Sequence, residues 1–327
     1  MDIRVLSAKE VCKALPMADA IEAMKRAFRQ LSGGKAELPL RSRIEIEQGF
    51  TLFMPAYLHQ HSDLAVKIVS VFPQNPEQDL PTIHAAVLLL DSHNGAPIAL
   101  MEGASLTAIR TGAASGAATD LLASPEAKTV AILGSGVQAR TQLEAVCTVR
   151  EIERAWVYSI DPPGMQTFVK EMAGYGPIPQ DLKLAKDADQ AVSQADIICT
   201  ATTSSTPVFD GTRVPNGVHI NAVGSFTPAM QELDEEIIKR ATVIVDSRQA
   251  VLAEAGDLII PIQRGVISEA WIQAELGEIV QGTHPGRVDP DQITVFKSVG
   301  VAVQDAAAAA QAFIGASQAG LGRWISL

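Results

Sequence analysis

The stretch Val130-Ala-Ile-Leu-Gly134-Ser-Gly136-Val-Gln-Ala139-Arg140 decides how the chain is read. Apolar residues suited to a buried parallel strand run straight into two glycines, and a helical segment follows. That is the strand, turn and helix order of a dinucleotide-binding crossover. Gly134 supplies the tight turn, Gly136 lets the backbone approach a pyrophosphate, and the small Ala139 lets the helix pack closely on the strand. The free N–H groups and the positive end of that helix then face the phosphates. A glycine turn alone is a weak sign, so its surroundings must carry the case.

Working outward, the chain after Pro125 alternates between strand and helix patterns. Strands are predicted at 128–133, 155–159, 182–185, 196–200, 218–222 and 243–246, mostly separated by helical segments, with a further strand at 293–297 before a closing helix over 301–319. This is the pattern of a doubly wound parallel sheet in an α/β protein. The first third differs. Ser7-Ala-Lys-Glu10 has capping-box spacing, Ile21, Met24, Ala27, Phe28 and Leu31 make an apolar helical face, and strand-like runs occupy 38–47, 50–55, 64–72 and 85–91. Asn94-Gly95 signals a hairpin into 96–101, so an antiparallel sheet with two amphipathic helices opens the chain. A helix rich in Ala, Gly, Ser and Thr over 105–123 would allow another backbone to come close. It leads into the nucleotide-binding domain and the last helix leaves it. One domain therefore comprises 1–117 and 302–327, with 118–301 inserted.

At 327 residues the chain suits two domains, and 47% hydrophobic against 19% charged residues supports a substantial core. A net charge of -11 and a pI near 5.0 argue against a nucleic-acid partner, because no basic surplus exists to neutralise phosphates. Cys12, Cys147 and Cys199 lack C-x-x-C spacing and read as reduced core or near-core thiols of a cytoplasmic protein. No signal peptide or membrane span is expected. His59 and His61 have no evident third ligand, so no metal is expected.

A dinucleotide fold using NAD needs an acid near the end of its second strand to accept the adenine-ribose hydroxyls, and Asp161 lies 22 residues beyond Ala139. A turn-forming Asp before Pro162 is the bland alternative. Ser159 would tolerate a 2′-phosphate, but no arginine follows at once, which favours NAD over NADP. In the first domain Arg41, Arg43, Lys67 and Arg110 lack matching local carboxylates. Each alone reads as a surface charge or salt bridge, whereas several converging on one place would grip a carboxylate. The acidic run from Glu232 to Glu236 reads as the solvated start of a helix.

The segments Leu38-Pro-Leu-Arg41, Met54-Pro-Ala, Lys67-Ile-Val-Ser, Leu80-Pro-Thr82, Leu106-Thr-Ala-Ile-Arg110-Thr-Gly-Ala-Ala114, the glycine turn, Asn221-Ala-Val-Gly-Ser225, Gln231-Glu-Leu-Asp234 and Phe296-Lys-Ser-Val-Gly300 recur in order along the chain. Together they resemble the ornithine cyclodeaminase and mu-crystallin family over nearly its full length. The resemblance implies a Rossmann domain inserted in an α+β substrate-binding and dimerisation domain, usually in a homodimer. It assigns Arg41, Lys67 and Arg110 to the substrate carboxylate, with Lys67 and Arg41 as the catalytic candidates. Thr82, Arg110, Thr111, Gly134, Gly136, Val137, Gln138, Asp161, Ala201, Val223 and Ser298 are assigned to NAD or NADP.

Two departures narrow the chemistry. Where true cyclodeaminases of the family carry a Glu and an Asp serving the substrate amines, this chain aligns Leu52 and Phe226. An ornithine δ-ammonium left without an acceptor would cost several kcal/mol. The expected function is therefore an NAD(P)H-dependent ketimine reductase acting on Δ1-pyrroline-2-carboxylate or Δ1-piperideine-2-carboxylate to give L-proline or L-pipecolate. An alanine-type dehydrogenase, the cyclodeaminase itself, a hydroxyproline dehydratase and a mu-crystallin-like protein that binds NAD(P)H without turnover remain alternatives.

Overall fold

The computed structural model describes residues 2–39 and 41–326. The chain divides into two compact units, Met1–Arg110 with Ala302–Leu327, and Thr111–Val301. The first boundary falls at Arg110 and Thr111, inside one continuous helix, where composition carries no break to mark it.

The first unit begins with β1 (Asp2–Leu6), α1 (Ala8–Ala14) and α2 (Met17–Ser32). Glu10 Oε2 accepts hydrogen bonds from Ser7 N at 2.9 Å and Ser7 Oγ at 2.6 Å, which ties down the start of α1. Ile21, Met24, Ala27 and Phe28 recur at helical spacing and are all buried, so α2 docks by one face. Then come β2 (Ala36–Glu37), β3 (Ser42–Ile46), β4 (Gly49–Leu58), β5 (Asp63–Val71), β6 (Ile83–Asp91) and β7 (Pro97–Glu102). Within the predicted 38–47 strand, β3 covers Ser42–Ile46, while β2 ends at Glu37, before Pro39, which can donate no ladder hydrogen bond; Leu40, within the predicted strand, lies outside the described residues. With β16 (Arg323–Ser326) the sheet runs β16-β1-β7-β6-β5-β4-β2, and β3 adds to β4. Among the described residues only β1 and β7 pair in parallel; the other ladders are antiparallel. Neither β1 nor β16 is foreseen from local pattern, since each finds its partner at the opposite end of the chain.

The small-residue helix is α3 (Gly103–Leu122), and the closing helix is α11 (Ala302–Ala319). Helix α11 packs on α1, α2, β4, β5 and β6. Its buried alanines explain the close fit, and a Cβ at Gly315 would lie 2.0 Å from Ala14 O.

The second unit alternates as expected: β8 (Thr129–Leu133), α4 (Val137–Val149), β9 (Arg154–Tyr158), α5 (Pro162–Met172), β10 (Leu182–Leu184), α6 (Ala188–Val192), β11 (Ile197–Thr200), β12 (His219–Ala222), α7 (Glu235–Arg240) and β13 (Ala241–Val245). It continues with α8 (Arg248–Glu254), α9 (Gly256–Gln263), β14 (Ile272–Glu275), α10 (Leu276–Gln281) and β15 (Ile293–Lys297). The sheet order is β10-β9-β8-β11-β12-β15-β13-β14, and every ladder is parallel. Strands β11, β12 and β15 are buried at every position, so they show no inside-outside alternation, and the polar His219, Asn221, Thr294 and Lys297 lie buried along them. The winding reverses between β8 and β11, the switch point where ligands bind in such sheets. Edge strand β14 is not foreseen, its Ile272-Gln-Ala-Glu275 being short and half polar.

Candidate functional site

At the switch point the glycine turn leaves β8. Gly134 has φ 117°, and a Cβ there would lie 2.5 Å from Ala201 O, so both conformation and space demand glycine. Its N–H donates to Tyr158 O at 2.8 Å. Gly136 is different. It caps α4 with no side-chain hydrogen bond, and a Cβ on it would meet nothing within 4 Å. The protein's own packing does not require this glycine, and the space it leaves lies at a helix N-terminus with unsatisfied N–H groups. Nearby, Gln138 Oε1 is buried without a hydrogen-bond partner. Arg140 Nη1 donates to Ser135 O at 2.6 Å and Gly136 O at 3.1 Å, fixing the turn. Behind it Ala139 is fully buried, and a Cβ on Gly112 would lie 2.5 Å from Thr141 O, the close backbone approach foreseen for the small-residue helix. Thr111 O accepts from Gln142 Nε2 at 3.3 Å. These features fit a pyrophosphate on α4.

Asp161 is the exposed N-cap of α5, preceding Pro162. A Cβ at Gly164 would stand 2.1 Å from Asp161 Oδ2 and 2.9 Å from Ser135 Oγ, so the carboxylate lies beside the glycine turn. That placement suits a ribose acceptor, and it equally suits the helix cap, although the side chain makes no capping hydrogen bond. Ala201, Val223 and Ser298 follow the carboxyl ends of β11, β12 and β15. Their N–H groups donate to Leu133 O, Thr200 O and Ala222 O at 2.9, 3.1 and 3.1 Å, so all three line the same edge as the turn. Ser298 Oγ donates to Asp246 Oδ2 at 2.7 Å, as do Val299 N at 3.0 Å and Gly300 N at 2.8 Å, which holds that loop.

The acidic run at 232–236 requires a correction. Helix α7 starts only at Glu235 behind an Asp234 N-cap, while Glu232 is fully buried. Its carboxylate accepts from Thr200 Oγ1, Thr202 N, Thr202 Oγ1, Gly224 N and Ser225 N, at 2.7 to 3.2 Å. Burial raises its pKa and the nearby Lys297 ammonium opposes that rise. Glu232 thus ties the loops after β11 and β12 together, and these loops carry Ala201, Val223 and Phe226. A lone strip of acids could not reveal this, because the donors come from distant strand ends. Phe226 itself is half exposed on its loop.

In the first unit, Lys67 sits on β5 facing the helices, opposite Met54 of β4 and Val87 of β6, and only 3% exposed. Its Nζ lies 2.7 Å from Asp305 Oδ2 on α11. Arg110 Nε reaches Asp305 Oδ1 at 3.1 Å, and Arg110 Nη1 donates to Gln304 Oε1 at 3.0 Å. Burial lowers the Lys67 pKa to about 8; the Asp305 carboxylate opposes this shift, while the charges of Arg110 and, more weakly, Arg41 add to it. Arg41 therefore stands near enough to join the cluster. Arg43 does not: it pairs with Glu45 and lies over the Phe50 ring, 3.7 Å from its centroid. Leu52 pairs with Val69 of β5, on the face of Lys67 and diagonal to it. Thr82 is half-buried, and its carbonyl accepts from Phe72 N at 2.8 Å.

Sequence reasoning passes over Asp305. The available signal is a single carboxylate in the helical run Val301-Ala-Val-Gln-Asp305-Ala-Ala, where every residue is buried. The cluster thus holds a carboxylate after all, but both its oxygens are taken by Lys67 and Arg110. Among the described residues no three His, Cys, Asp or Glu side chains gather as a metal site, and no helix is long and apolar enough to cross a membrane.

An inserted Rossmann unit with a glycine turn at its switch point, and a mixed sheet carrying buried cations, define an α/β protein of a particular family architecture. The chain belongs to the ornithine cyclodeaminase/mu-crystallin family, whose profile matches residues 1–318. It is 41% identical over 324 residues to a Δ1-pyrroline-2-carboxylate reductase of Bacillus cereus, covering 98% of this chain and 99% of that one. Among solved structures it is similar to the Thermococcus litoralis Δ1-pyrroline-2-carboxylate reductase in complex with NADH and L-proline, with TM-score 0.93, 46% identity and coverage of 98% and 99%. An archaeal alanine dehydrogenase dimer with bound NAD matches with TM-score 0.92, 33% identity and full coverage of both chains (100% each).

Proposed function

We propose that this protein is an NAD(P)H-dependent ketimine reductase that converts Δ1-pyrroline-2-carboxylate to L-proline, and Δ1-piperideine-2-carboxylate to L-pipecolate. The observation that carries it is the buried cluster of Lys67, Arg110 and Asp305 beside the apolar Leu52. Lys67 and Arg110 are two buried cations that share the single carboxylate of Asp305, and the charge of Arg41 acts on Lys67 as well, so the cluster favours a ligand bearing a carboxylate. A second substrate ammonium finds no acceptor, since Asp305 is occupied and Leu52 is apolar. A cyclic imino acid meets both conditions, and the names of the Bacillus and Thermococcus relatives support the choice.

Gly134, Gly136, Val137 and Gln138 would hold the pyrophosphate at α4, Asp161 the adenine ribose, and Thr82, Thr111, Ala201, Val223 and Ser298 further parts of the dinucleotide. When bound, the reduced nicotinamide supplies the hydride for the imine carbon. Arg41 and Arg110 grip the substrate carboxylate and fix the ring, so positioning provides much of the rate. Lys67, with a pKa of about 8, is matched to protonating the imine nitrogen near neutral pH. Asp161, with no cation directly after it, favours NADH over NADPH.

A homodimer belongs to this reading. On the sheet face turned away from the helices, Phe53, Ile68 and Ala86 form one cross-strand row, Pro55, Val66, Leu88 and Leu100 a second, and Tyr57, Leu64 and Leu90 a third. Such a continuous apolar face suits burial against a second copy. A cytoplasmic location belongs to the same reading; Cys147 and Cys199 are buried thiols that burial pushes up to about 12, whereas Cys12, expected in or near the core, is exposed.

The test follows NADH and NADPH absorbance with each cyclic imine and with pyruvate plus ammonia, and separately assays ornithine for proline formation. Imine reduction well above the other two is expected. Dominant pyruvate amination would make the protein an alanine dehydrogenase, comparable ornithine turnover would remove the significance of Leu52, and dinucleotide binding with no turnover would leave a binding protein.

A further inference from the structure

We propose that Asp305 is a positioning residue: by taking Lys67 on one carboxylate oxygen and Arg110 on the other, it sets the two cations in place and holds Lys67 as the ammonium that the substrate meets. The inference rests on the proposed ketimine reduction for its catalytic meaning, but its geometry stands alone.

The two contacts, 2.7 Å to Oδ2 and 3.1 Å to Oδ1, join β5 and α3 through a side chain of α11 that is itself 1% exposed. Asp305 lies in the first turn of α11, where the helix dipole favours a carboxylate and makes it a stable partner for two cations. Met54 on β4 and Val87 on β6, opposite Lys67, are apolar, while Arg110 on α3 and Arg41 before β3 are cations whose charges oppose its own. Burial and the two arginines lower the Lys67 pKa, and the attraction and hydrogen bond of Asp305 alone raise it, with a net value of about 8. Without that carboxylate every remaining influence acts in one direction, and Lys67 becomes a neutral amine at neutral pH. A neutral amine neither anchors a carboxylate nor protonates an imine. Arg110 would meanwhile lose the partner that fixes its Nε and keep its hydrogen bond to Gln304.

The test is Asp305→Asn, which keeps the shape and removes the charge. Expected is an alkaline limb of kcat/KM at least one pH unit lower than in the native enzyme, a loss of roughly fivefold or more at pH 8. A merely structural role would lower turnover equally at every pH without moving the limb, and that result overturns the proposal. Independently of any turnover, the Lys67 Nζ resonance in 15N-lysine-labelled full-length protein, assigned with Lys67→Arg, reports the same titration. Equal midpoints in native protein and Asp305→Asn reject the idea even if no imine proves to be a substrate. Should Asp305→Asn fail to fold, Asp305→Ser is titrated in its place. In the native protein alone, an ammonium at pH 7 agrees with the proposal and an amine at pH 7 defeats it.

Discussion

The Lys67 ammonium lies 2.7 Å from Asp305 Oδ2, and both side chains are almost wholly buried. A pair so removed from water keeps its charges only by mutual contact. The chemistry proposed for Lys67 therefore has a pH signature. For a buried lysine lowered to about 8, the protonated, active form persists below that value and is lost above it, so kcat/KM should fall as pH rises through about 8. Lys67→Arg keeps a cation that does not release its proton in this range. Loss of kcat by about 10²-fold or more, little change in KM and disappearance of the alkaline limb are expected from steady-state rates across pH; a variant as fast as the native enzyme would exclude Lys67 as the donor.

The two glycines of the turn should separate stability from cofactor binding. Gly134→Ala meets a φ of 117° and the Ala201 carbonyl, and should lose about 1–3 kcal/mol by urea denaturation. Gly136→Val meets no protein atom within 4 Å of its Cβ and should fold almost normally, yet bind NADH far more weakly by fluorescence titration. Unimpaired NADH binding would remove the pyrophosphate from this turn.

Asp161 sets cofactor preference if its carboxylate receives ribose hydroxyls. Asp161→Ala should raise KM for NADH while leaving or improving that for NADPH, shifting the ratio of the two kcat/KM values by roughly tenfold or more. An unchanged ratio would return Asp161 to the role of helix cap.

His219 should make the second unit acid-sensitive. Its ring lies within hydrogen-bond distance of Thr294 Oγ1 at 2.9 Å and Asn221 Oδ1 at 3.2 Å, and burial, reinforced by the charge of Arg287, lowers its pKa from 6.5 to about 3. A depressed folded value means that this contribution is intact above the unfolded pKa and is lost as pH falls towards 3. Between pH 7 and pH 5 the loss is about 2 kcal/mol. His219→Asn should be less stable at pH 7 but show a flatter decline on acidification, as read from urea midpoints; equal slopes would mean that His219 is already charged in the fold.

The strands of the parallel sheet, edge strand β14 apart, are legible in the amino-acid sequence. Val130 to Leu133, the glycines that follow and the alternating pattern after Pro125 state them directly, because strand burial and helix entry are local properties of the chain. The sequence also pointed to Lys67 and Arg110 as unusual cations, since large charges among Val66, Ile68 and small residues are conspicuous. Only the tertiary structure decided their partner. Asp305 lies at the far end of the sequence in an alanine-rich helix, and nothing local distinguishes a buried acid from a solvated one. The same holds for Glu232, which resembles its solvated neighbours but gathers donors from two strand ends, and for β1 and β16, which become strands by pairing the two ends of the chain. Charge pairing and sheet closure are contacts across long sequence separations, and the fold alone brings their members together.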